Sequence, residues 1–341
     1  MHLNFYLREM THLRYYIPIV QEGNSRGLKS SFYISPSNKY NCPMLHKIYL
    51  DKVCKLYNVD QKEGNNITNA KGVIFTSEES GIDIIKRNSN AKKISLCYQT
   101  DFIISYRNYV DFVNHIVMPS QSVAEFYELV SDKNLYTGIP KYDVSLNRDT
   151  VLKKYSLDKD RNKLLFIWPK SRDLHKMPID IITNFNELGW QVVVKTRGKD
   201  TLHPSTIETL VGADNIILSD ASWHPHTTQE LLEVCDLVVN SGSTMIEECV
   251  MHEVPLINFD IKPDVRHGRK LKHRVTYDFL YDYDFCVNLK SLDSTFSTEK
   301  LNGMLQYFLR TDFSDSFRKC KQDWLYDHKN ACKNLLDVIL S

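Results

Sequence analysis

The sequence predicts an α/β fold made of two Rossmann-like domains that face each other across a cleft, with a C-terminal helix crossing back onto the first domain. The main observation is alternation: short apolar strands and amphipathic helical segments follow one another in two successive series, the pattern of parallel β-α-β units. A polar, charged stretch, 144–162, separates the two series and indicates the domain boundary. The 341 residues also suit two domains of ordinary size better than one oversized core.

The first series predicts a domain over 1–145. Its strands are assigned to apolar runs bounded by turn residues, and its helices to amphipathic segments. A serine, Ser120 or Ser122, is expected to cap its second helix. The segment 135–143, LYTGIPKYD, is interpreted as a last strand that turns out of the domain. The predicted strands are Ser31–Ile34, Gly72–Thr76, Lys93–Tyr98 and Ile116–Met118, and the predicted helices are Met44–Tyr57 and Ser122–Leu129.

The second series predicts a domain over 163–312, in which strands again alternate with helices. The remaining residues, 313–341, are helical in pattern and end in the amphipathic NLLDVIL, so we expect them to brace the first domain. The predicted strands are 164–169, 190–196, 215–220, 236–240 and 255–260, and the predicted helices are Pro178–Leu188, Thr206–Leu210, Thr227–Val234 and Met245–His252.

Composition excludes several classes of protein. Forty-three Lys and Arg against 42 Asp and Glu give a net charge of +1, so no global field attracts nucleic acid or an anionic membrane. No apolar run approaches the roughly 20 residues of a membrane helix, and the first twenty residues lack the pattern of a signal peptide. The eight cysteines show no CxxC pairing, which predicts reduced, mostly buried thiols and a cytoplasmic location.

The most informative stretch is 231–260, LLEVCDLVVNSGSTMIEECVMHEVPLINFD. An apolar strand is followed by a turn of small polar residues, then by a helix that carries Glu247 and Glu248, and then by a second apolar strand. Ligands of parallel sheets bind beyond the carboxyl ends of the strands, and a turn that opens a helix offers backbone N–H groups to phosphate. The sequence therefore predicts an anion site at this turn, with donors from Ser241, Gly242, Ser243 and Thr244.

The same stretch resembles the donor-binding segment of two-domain GT-B glycosyltransferases and their relatives. TGIPKYD resembles the TGxPxxD that closes the N-terminal domain in the glycerophosphotransferase and sugar 2-epimerase relatives. VVVKTRGKD resembles their basic KxH turn after the second strand of the C-terminal domain. The sequence departs from the pattern twice: Lys195-Thr196-Arg197 supplies Arg where relatives have His-Pro after the Lys, and Glu253 replaces the common Gly before Pro255.

This resemblance implies a glycosyltransferase that moves a sugar from a nucleotide-sugar donor to a hydroxyl acceptor without an obligatory metal or other cofactor. The donor is expected to be UDP- or CMP/CDP-linked. By resemblance, Glu247 accepts hydrogen bonds from the ribose hydroxyls. Four cations lie at the ends of two adjacent predicted strands and suit the diphosphate. They are Lys170, Arg172, Lys195 and Arg197.

The acceptor side is expected in the first domain, where the general base must be a carboxylate near a strand end. Asp101 follows the strand SLCYQT and is the leading candidate, and Glu22, in QEGNSRG, is the next. Glu78 and Glu79 are further alternatives. The nearby run Asn24-Ser25-Arg26-Gly27 resembles the glycine-rich first loop of such enzymes.

Other functional interpretations of the sequence stay open at this point. A CDP-glycerol-type polyol-phosphate transferase would use the basic segment 262–274 to hold an anionic acceptor, and a bacteriophage-type glycosyltransferase would bring the same segment to modified DNA bases. A hydrolysing sugar epimerase and a non-catalytic nucleotide-binding protein also fit. The acceptor is thus a saccharide, a polyol or modified DNA. Two tempting motifs are discounted as metal sites: Asp282-Tyr283-Asp284 lies late in the chain, and His224-Pro225-His226 is isolated.

Overall fold

The computed structural model describes residues 1–35, 43–77, 81–97, 109–169, 176–197, 202–211, 215–220, 226–240, 245–259, 282–289, 298–324 and 329–341. The chain divides into two compact units. The first contains Met1–Val144 and Lys321–Ser341, and the second contains Ser145–Cys320. Within the described ranges, no helix has both the length and the apolar character needed to cross a membrane.

The first unit is built on a parallel sheet of seven strands in the order β3-β2-β1-β4-β5-β6-β7. Its α-helices, apart from the C-terminal one, lie between successive strands, and short 3-10 helices occupy several loops. The strands are β1 His2–Leu7, β2 Lys29–Ile34, β3 Val59–Glu63, β4 Gly72–Ser77, β5 Ala91–Leu96, β6 His115–Val117 and β7 Asn134–Leu135, and the α-helices are Leu13–Ser25, Pro43–Tyr57, Ile82–Ile85, Gln121–Phe126 and the C-terminal Ala331–Leu340.

Aromatic packing on the central strands forms the core of the first unit. Phe5 of β1 is the register partner of Phe32 on β2 and of Phe75 on β4, so the three rings form one row across the sheet. The ring centroids of Phe5 and Phe75 are 4.9 Å apart and nearly parallel. Tyr16 of the first helix packs on Phe5 at 5.1 Å and donates its hydroxyl to the carbonyl of Tyr6. This row fixes the helix that follows β1 against the centre of the sheet.

The second unit is built on a parallel sheet of six strands in the order β10-β9-β8-β11-β12-β13. The residues of β8, β11 and β12 are all buried, as expected of parallel strands that are covered on both faces. The strands are β8 Lys163–Ile167, β9 Gln191–Arg197, β10 Ile216–Asp220, β11 Leu237–Asn240, β12 Leu256–Phe259 and β13 Cys286–Leu289, and the helices are Arg148–Lys154, Lys176–Glu187, Pro204–Val211, Thr227–Val234, Ile246–His252 and Thr298–Arg310.

Two helices lie differently from the expected domain boundaries. Arg148–Lys154 lies in the stretch 144–162 that was interpreted as the domain boundary. It belongs to the second unit, where Lys154 Nζ and the Tyr155 hydroxyl both donate to the carboxylate of Glu230, at 2.7 and 2.6 Å. The helix Ser314–Trp324 starts in the second unit and ends in the first. The last helix, Ala331–Leu340, packs within the first unit.

The TGIPKYD segment explains how the last helix is attached. Asp143 Oδ2 accepts a hydrogen bond from the backbone N–H of Cys332, at 2.8 Å, which satisfies a donor in the first turn of the helix Ala331–Leu340. A second contact holds the other end, where Arg26 donates to Asp337 at 2.7 Å. The final residue of the motif therefore has a structural function in joining the C-terminal helix to the first unit.

Candidate nucleotide site

The strand order of each sheet locates its ligand-binding edge. In an open parallel sheet the ligand lies beyond the carboxyl ends of the strands, at the point where the chain reverses its direction of travel across the sheet. This switch point falls between β8 and β11 in the second unit, and between β1 and β4 in the first. The predicted anion turn, 241–244, directly follows β11. The sheet topology thus brings the predicted donor motif to the switch point.

A row of register partners at this edge contains the basic residue Lys195. Lys195 on β9 pairs with Ile167 on β8, and Val239 on β11 pairs with Phe166, so Asn240 continues the same row. Partners in a parallel sheet point to the same face. Lys195 and Asn240 therefore share a face two strands apart, roughly 10 Å between their Cα atoms. Lys195 is buried, with 9% of its surface exposed.

The helix Ile246–His252 begins just after the predicted anion turn. Glu247 and Glu248 lie in its first turn and are 2% and 4% exposed. Buried carboxylates are costly unless they accept hydrogen bonds, and both residues have further interactions in the structure. This burial places both Glu247, the residue that the resemblance selects, and its neighbour inside the protein rather than on a solvated helix face.

Glu253, which stands where the resembled family pattern has glycine, has a backbone conformation that favours glycine. It ends the helix Ile246–His252 in the left-handed conformation, with φ 56° and ψ 38°. That region costs a residue with a Cβ about 1 kcal/mol or more, whereas glycine adopts it readily. The substitution therefore leaves the fold intact at a cost in stability.

Glu253→Gly is expected to raise the free energy of unfolding of the second unit by about 1 kcal/mol, because it relieves this backbone strain. Glu187→Gly is the control, since Glu187 is an exposed residue that ends the helix Lys176–Glu187 without a left-handed backbone, so its replacement should not raise the free energy of unfolding. Urea titrations followed by circular dichroism would measure both changes. A loss of stability in Glu253→Gly would contradict the explanation.

The predicted donor residues are described to different extents. Lys195 and Glu247 are described with their side chains, and the backbone of Arg197 ends β9. The other predicted donor residues lie outside the described residues, and their roles stay predictions. They are Lys170, Arg172, Ser241, Gly242, Ser243 and Thr244.

Of the carboxylates predicted as bases in the first unit, the structure describes only Glu22. Asp101, Glu78 and Glu79 lie outside the described residues. Glu22 lies in the last turn of the helix Leu13–Ser25, which leads back to the start of β2 and hence to the amino edge of the sheet. Its carboxylate accepts from Arg26 at 2.7 Å. This location opposite the switch-point edge argues against Glu22 as a base. The run 24–27, compared with a glycine-rich first loop, ends the same helix.

A histidine that no sequence motif marked lies at the carboxyl edge of the sheet in the first unit. His12 follows β1 in the short 3-10 helix Met10–His12 and immediately precedes the helix Leu13–Ser25. It is 6% exposed, and its ring packs edge-on against Tyr16 with centroids 6.0 Å apart. Burial, with a smaller contribution from Arg8, lowers the pKa of His12 to about 3. The imidazole is therefore neutral near pH 7. Its position after the first strand was the signal that could have identified it.

The buried neutral state of His12 predicts a pH dependence of stability. Its pKa is lower in the folded protein than its unfolded value of 6.5, so between about pH 6.5 and 3 the unfolded chain binds a proton that the folded chain excludes. Stability should therefore fall with decreasing pH, by roughly 1.4 kcal/mol per pH unit from this residue. His12→Gln should reduce that slope in urea titrations from pH 4.5 to 6.5. An unchanged slope in folded His12→Gln would contradict this explanation.

The structure also locates the two sequence motifs that were discounted as metal sites. Asp282 and Asp284 precede β13, so they lie at its amino end, away from the switch-point edge. His226 is described and immediately precedes the helix Thr227–Val234, whereas His224 is outside the described residues. Among the residues that the structure describes, no three His, Cys, Asp or Glu side chains come together as a metal site. Metal independence stays a prediction.

No family model and no curated protein matches the chain. Solved structures do match. The wall teichoic acid polymerase TagF is 11% identical, with a TM-score of 0.69 over 99% of this chain and 88% of that one. UDP-GlcNAc 2-epimerase from Neisseria meningitidis, bound to UDP-GlcNAc, is 10% identical, with a TM-score of 0.64 over 100% of both chains. A glycosyltransferase from Rickettsia africae ESF-5 is 12% identical, with a TM-score of 0.51 over 99% and 97%.

These similarities establish the fold. The chain has a GT-B-like fold, in which two Rossmann-like α/β units follow one another, as the sequence predicted. The matched proteins differ in activity, since they include a polymerase, an epimerase and a glycosyltransferase. At 10–12% identity the shared fold does not by itself assign one of these reactions to this chain.

Proposed function

We propose that the chain is a nucleotide-dependent glycosyltransferase whose second unit binds the diphosphate of a nucleotide-sugar at the switch point between β8 and β11. One observation carries the proposal: Lys195 and Asn240 share a row that crosses this switch point, and Asn240 directly precedes the predicted turn 241–244, which leads to a helix with a buried Glu247. A cation and the backbone N–H groups predicted for the turn 241–244 suit a diphosphate, and a buried carboxylate suits a ribose.

The reaction follows from this arrangement. The bond between the anomeric carbon and the diphosphate oxygen breaks, the diphosphate leaves with the bonding electrons, and the acceptor oxygen forms the new bond to carbon. Lys195 and the donors of the turn stabilise the charge on the leaving diphosphate. A base takes the proton of the acceptor hydroxyl. Asp101 is retained as the predicted base.

The choice of nucleotide is proposed from the matched structures. The epimerase was solved with UDP-GlcNAc, and TagF was soaked with CDPG. We therefore propose a UDP- or CDP-linked donor. A polyol-phosphate transferase is the second candidate, favoured by the similarity to TagF and by the six Lys and Arg in 262–274, which suit an anionic acceptor.

A ligand panel separates these candidates. Thermal shifts with UDP-GlcNAc, other UDP-sugars, CMP-sugars and CDP-glycerol would identify the nucleotide, because a ligand that binds only the folded state raises its stability. Product analysis with the best ligand would then distinguish sugar transfer, glycerol-phosphate transfer and epimerisation. A chain that binds none of these nucleotides, by thermal shift and by calorimetry at millimolar concentration, would overturn the proposed function.

Glu247→Gln is expected to weaken binding of the preferred nucleotide by about 10-fold, because a neutral amide is a poorer acceptor for ribose hydroxyls than a carboxylate. The loss should shrink when the 2′-deoxy form of that nucleotide is used. Glu248→Gln is the matched control, since the two residues are neighbours and similarly buried. Calorimetry of both variants with both nucleotides would test the assignment. An equal loss in the two variants would contradict a specific function of Glu247.

A further inference from the structure

Three asparagines form a hydrogen-bonded row across the second sheet, which we name the carboxamide ladder. Asn240 Nδ2 donates to Asn258 Oδ1 at 2.9 Å, and Asn258 Nδ2 donates to Asn288 Oδ1 at 3.0 Å. The three residues are register partners on the neighbouring strands β11, β12 and β13. Asn240 and Asn258 are 0% and 1% exposed, and Asn288 is half-buried. The ladder therefore lies inside the unit.

The stability of the core does not require this polar row. The other residues of β11 and β12 are all apolar, and apolar side chains of similar size could fill the ladder positions without any need for partners. A buried carboxamide is tolerated only when its hydrogen bonds are made, so it constrains the positions of its neighbours. A shift of β12 by one residue would turn Asn258 to the opposite face and remove the acceptor of Asn240. The ladder therefore specifies one register of the three strands.

The ladder also lies at the edge where the nucleotide is proposed to bind. Asn240 is the last residue of β11, and Asn258 and Asn288 are each the next-to-last residue of their strands. Asn240 immediately precedes the 241–244 turn and shares its row with Lys195, two strands away. Fixing the end of β11 fixes the point from which this turn starts.

We propose that the carboxamide ladder is a positioning device for the nucleotide site, in which Asn258 and Asn288 act through Asn240 to hold the carboxyl end of β11. The inference rests on the proposed function, because the ligand that benefits is the diphosphate of that nucleotide. Asn258 holds Asn240 directly, and Asn288 holds it through Asn258. Their replacement should therefore have graded effects on binding without removing any group that touches the ligand.

The test compares three leucine variants by calorimetry, using the nucleotide that the wild-type chain prefers. Asn258→Leu is expected to raise its Kd by about 10-fold and Asn288→Leu by about 3-fold, the range found for residues that act on a site through others. Asn215→Leu is the matched control. Asn215 is also buried and donates its amide to the Leu210 carbonyl at 2.8 Å, but it precedes β10 at the amino edge of the same sheet. Its variant should lose stability and keep its Kd.

Hydrogen exchange of the β11 amides supplies a readout that does not need a ligand. In Asn258→Leu these amides should exchange about tenfold faster than in the wild type, and in Asn215→Leu they should not. Unchanged Kd and unchanged β11 exchange in folded Asn258→Leu would overturn the ladder inference alone. A tenfold rise of Kd in Asn215→Leu would also overturn it, since any buried amide would then have the same effect. Failure of the wild-type chain to bind any nucleotide would instead overturn the proposed function, and with it the ligand assigned to the ladder.

Discussion

Lys195→Met is expected to weaken binding of the nucleotide diphosphate by about 10- to 100-fold, the usual value of a charge-assisted hydrogen bond in a buried site. Lys195 lies near the carboxyl end of β9, one strand away from the switch point between β8 and β11, with 9% of its surface exposed. In the proposed reaction, its charge offsets the charge on the leaving diphosphate. Methionine retains most of the apolar stem and removes the charge, so the comparison isolates the charge.

Lys163→Met is the matched control for this experiment. Lys163 is 1% exposed and lies on the neighbouring strand β8, where its Nζ donates to the Arg161 carbonyl at 2.6 Å. It pairs with Gln191, four residues before Lys195 on β9, so it lies roughly 13 Å away at the amino edge. Lys163→Met should therefore lose stability but retain its affinity. Equal affinities of the two variants in calorimetry would contradict the proposed site.

Gly72→Ala is expected to lower the free energy of unfolding of the first unit by about 2 to 5 kcal/mol. Gly72 starts β4 with φ +95°, and a Cβ at this position would lie 2.4 Å from the backbone oxygen of His2 on β1. A backbone atom of the central sheet cannot move aside as a flexible side chain can. Steric overlap of this kind typically costs 1 to 3 kcal/mol, and the positive φ adds about 1 to 2 kcal/mol.

Gly189→Ala separates the two contributions. Gly189 also has a positive φ, +82°, but a Cβ there would meet nothing within 4 Å. This variant should lose only about 1 to 2 kcal/mol. Urea titration would compare the two proteins, and hydrogen exchange would assign each loss to its own unit, because the two glycines lie in different units. Similar losses in both variants would show that the contact with His2 is unimportant.

Some elements of the first unit could not be predicted from local pattern. The central strand β1 and the helix Leu13–Ser25 were not assigned from the sequence, although they form the middle of the unit. The helix contains Pro18 and Gly23, both of which oppose helix formation by propensity. Tertiary packing overrides that preference: a Cβ on Gly23 would lie 2.7 Å from a methyl carbon of Leu3, so glycine permits the close approach of helix and strand.

Two of the edge strands, β3 and β13, were missed for a different reason. Four of the five residues of β3, in Val59–Glu63, are polar or charged and exposed, so the strand lacks the apolar run on which the prediction relies. Polar edges of this kind discourage pairing with other chains. β13, Cys286–Leu289, is short and only partly buried. Both strands are defined by pairing with the neighbouring strand of their sheet rather than by local composition.

The sequence by itself determined the fold class and the position of the predicted nucleotide motif, because buried parallel strands and their helices leave a strong periodic pattern of apolar residues. It also identified Glu247 and Lys195 as candidate site residues, because both belong to short family motifs that are recognised from the spacing of residues close together in the chain. Only the tertiary structure decided the strand order, the amino-edge location of Glu22, the edge position of His12 and the carboxamide ladder. These features depend on residues far apart in the chain, which only strand pairing brings together.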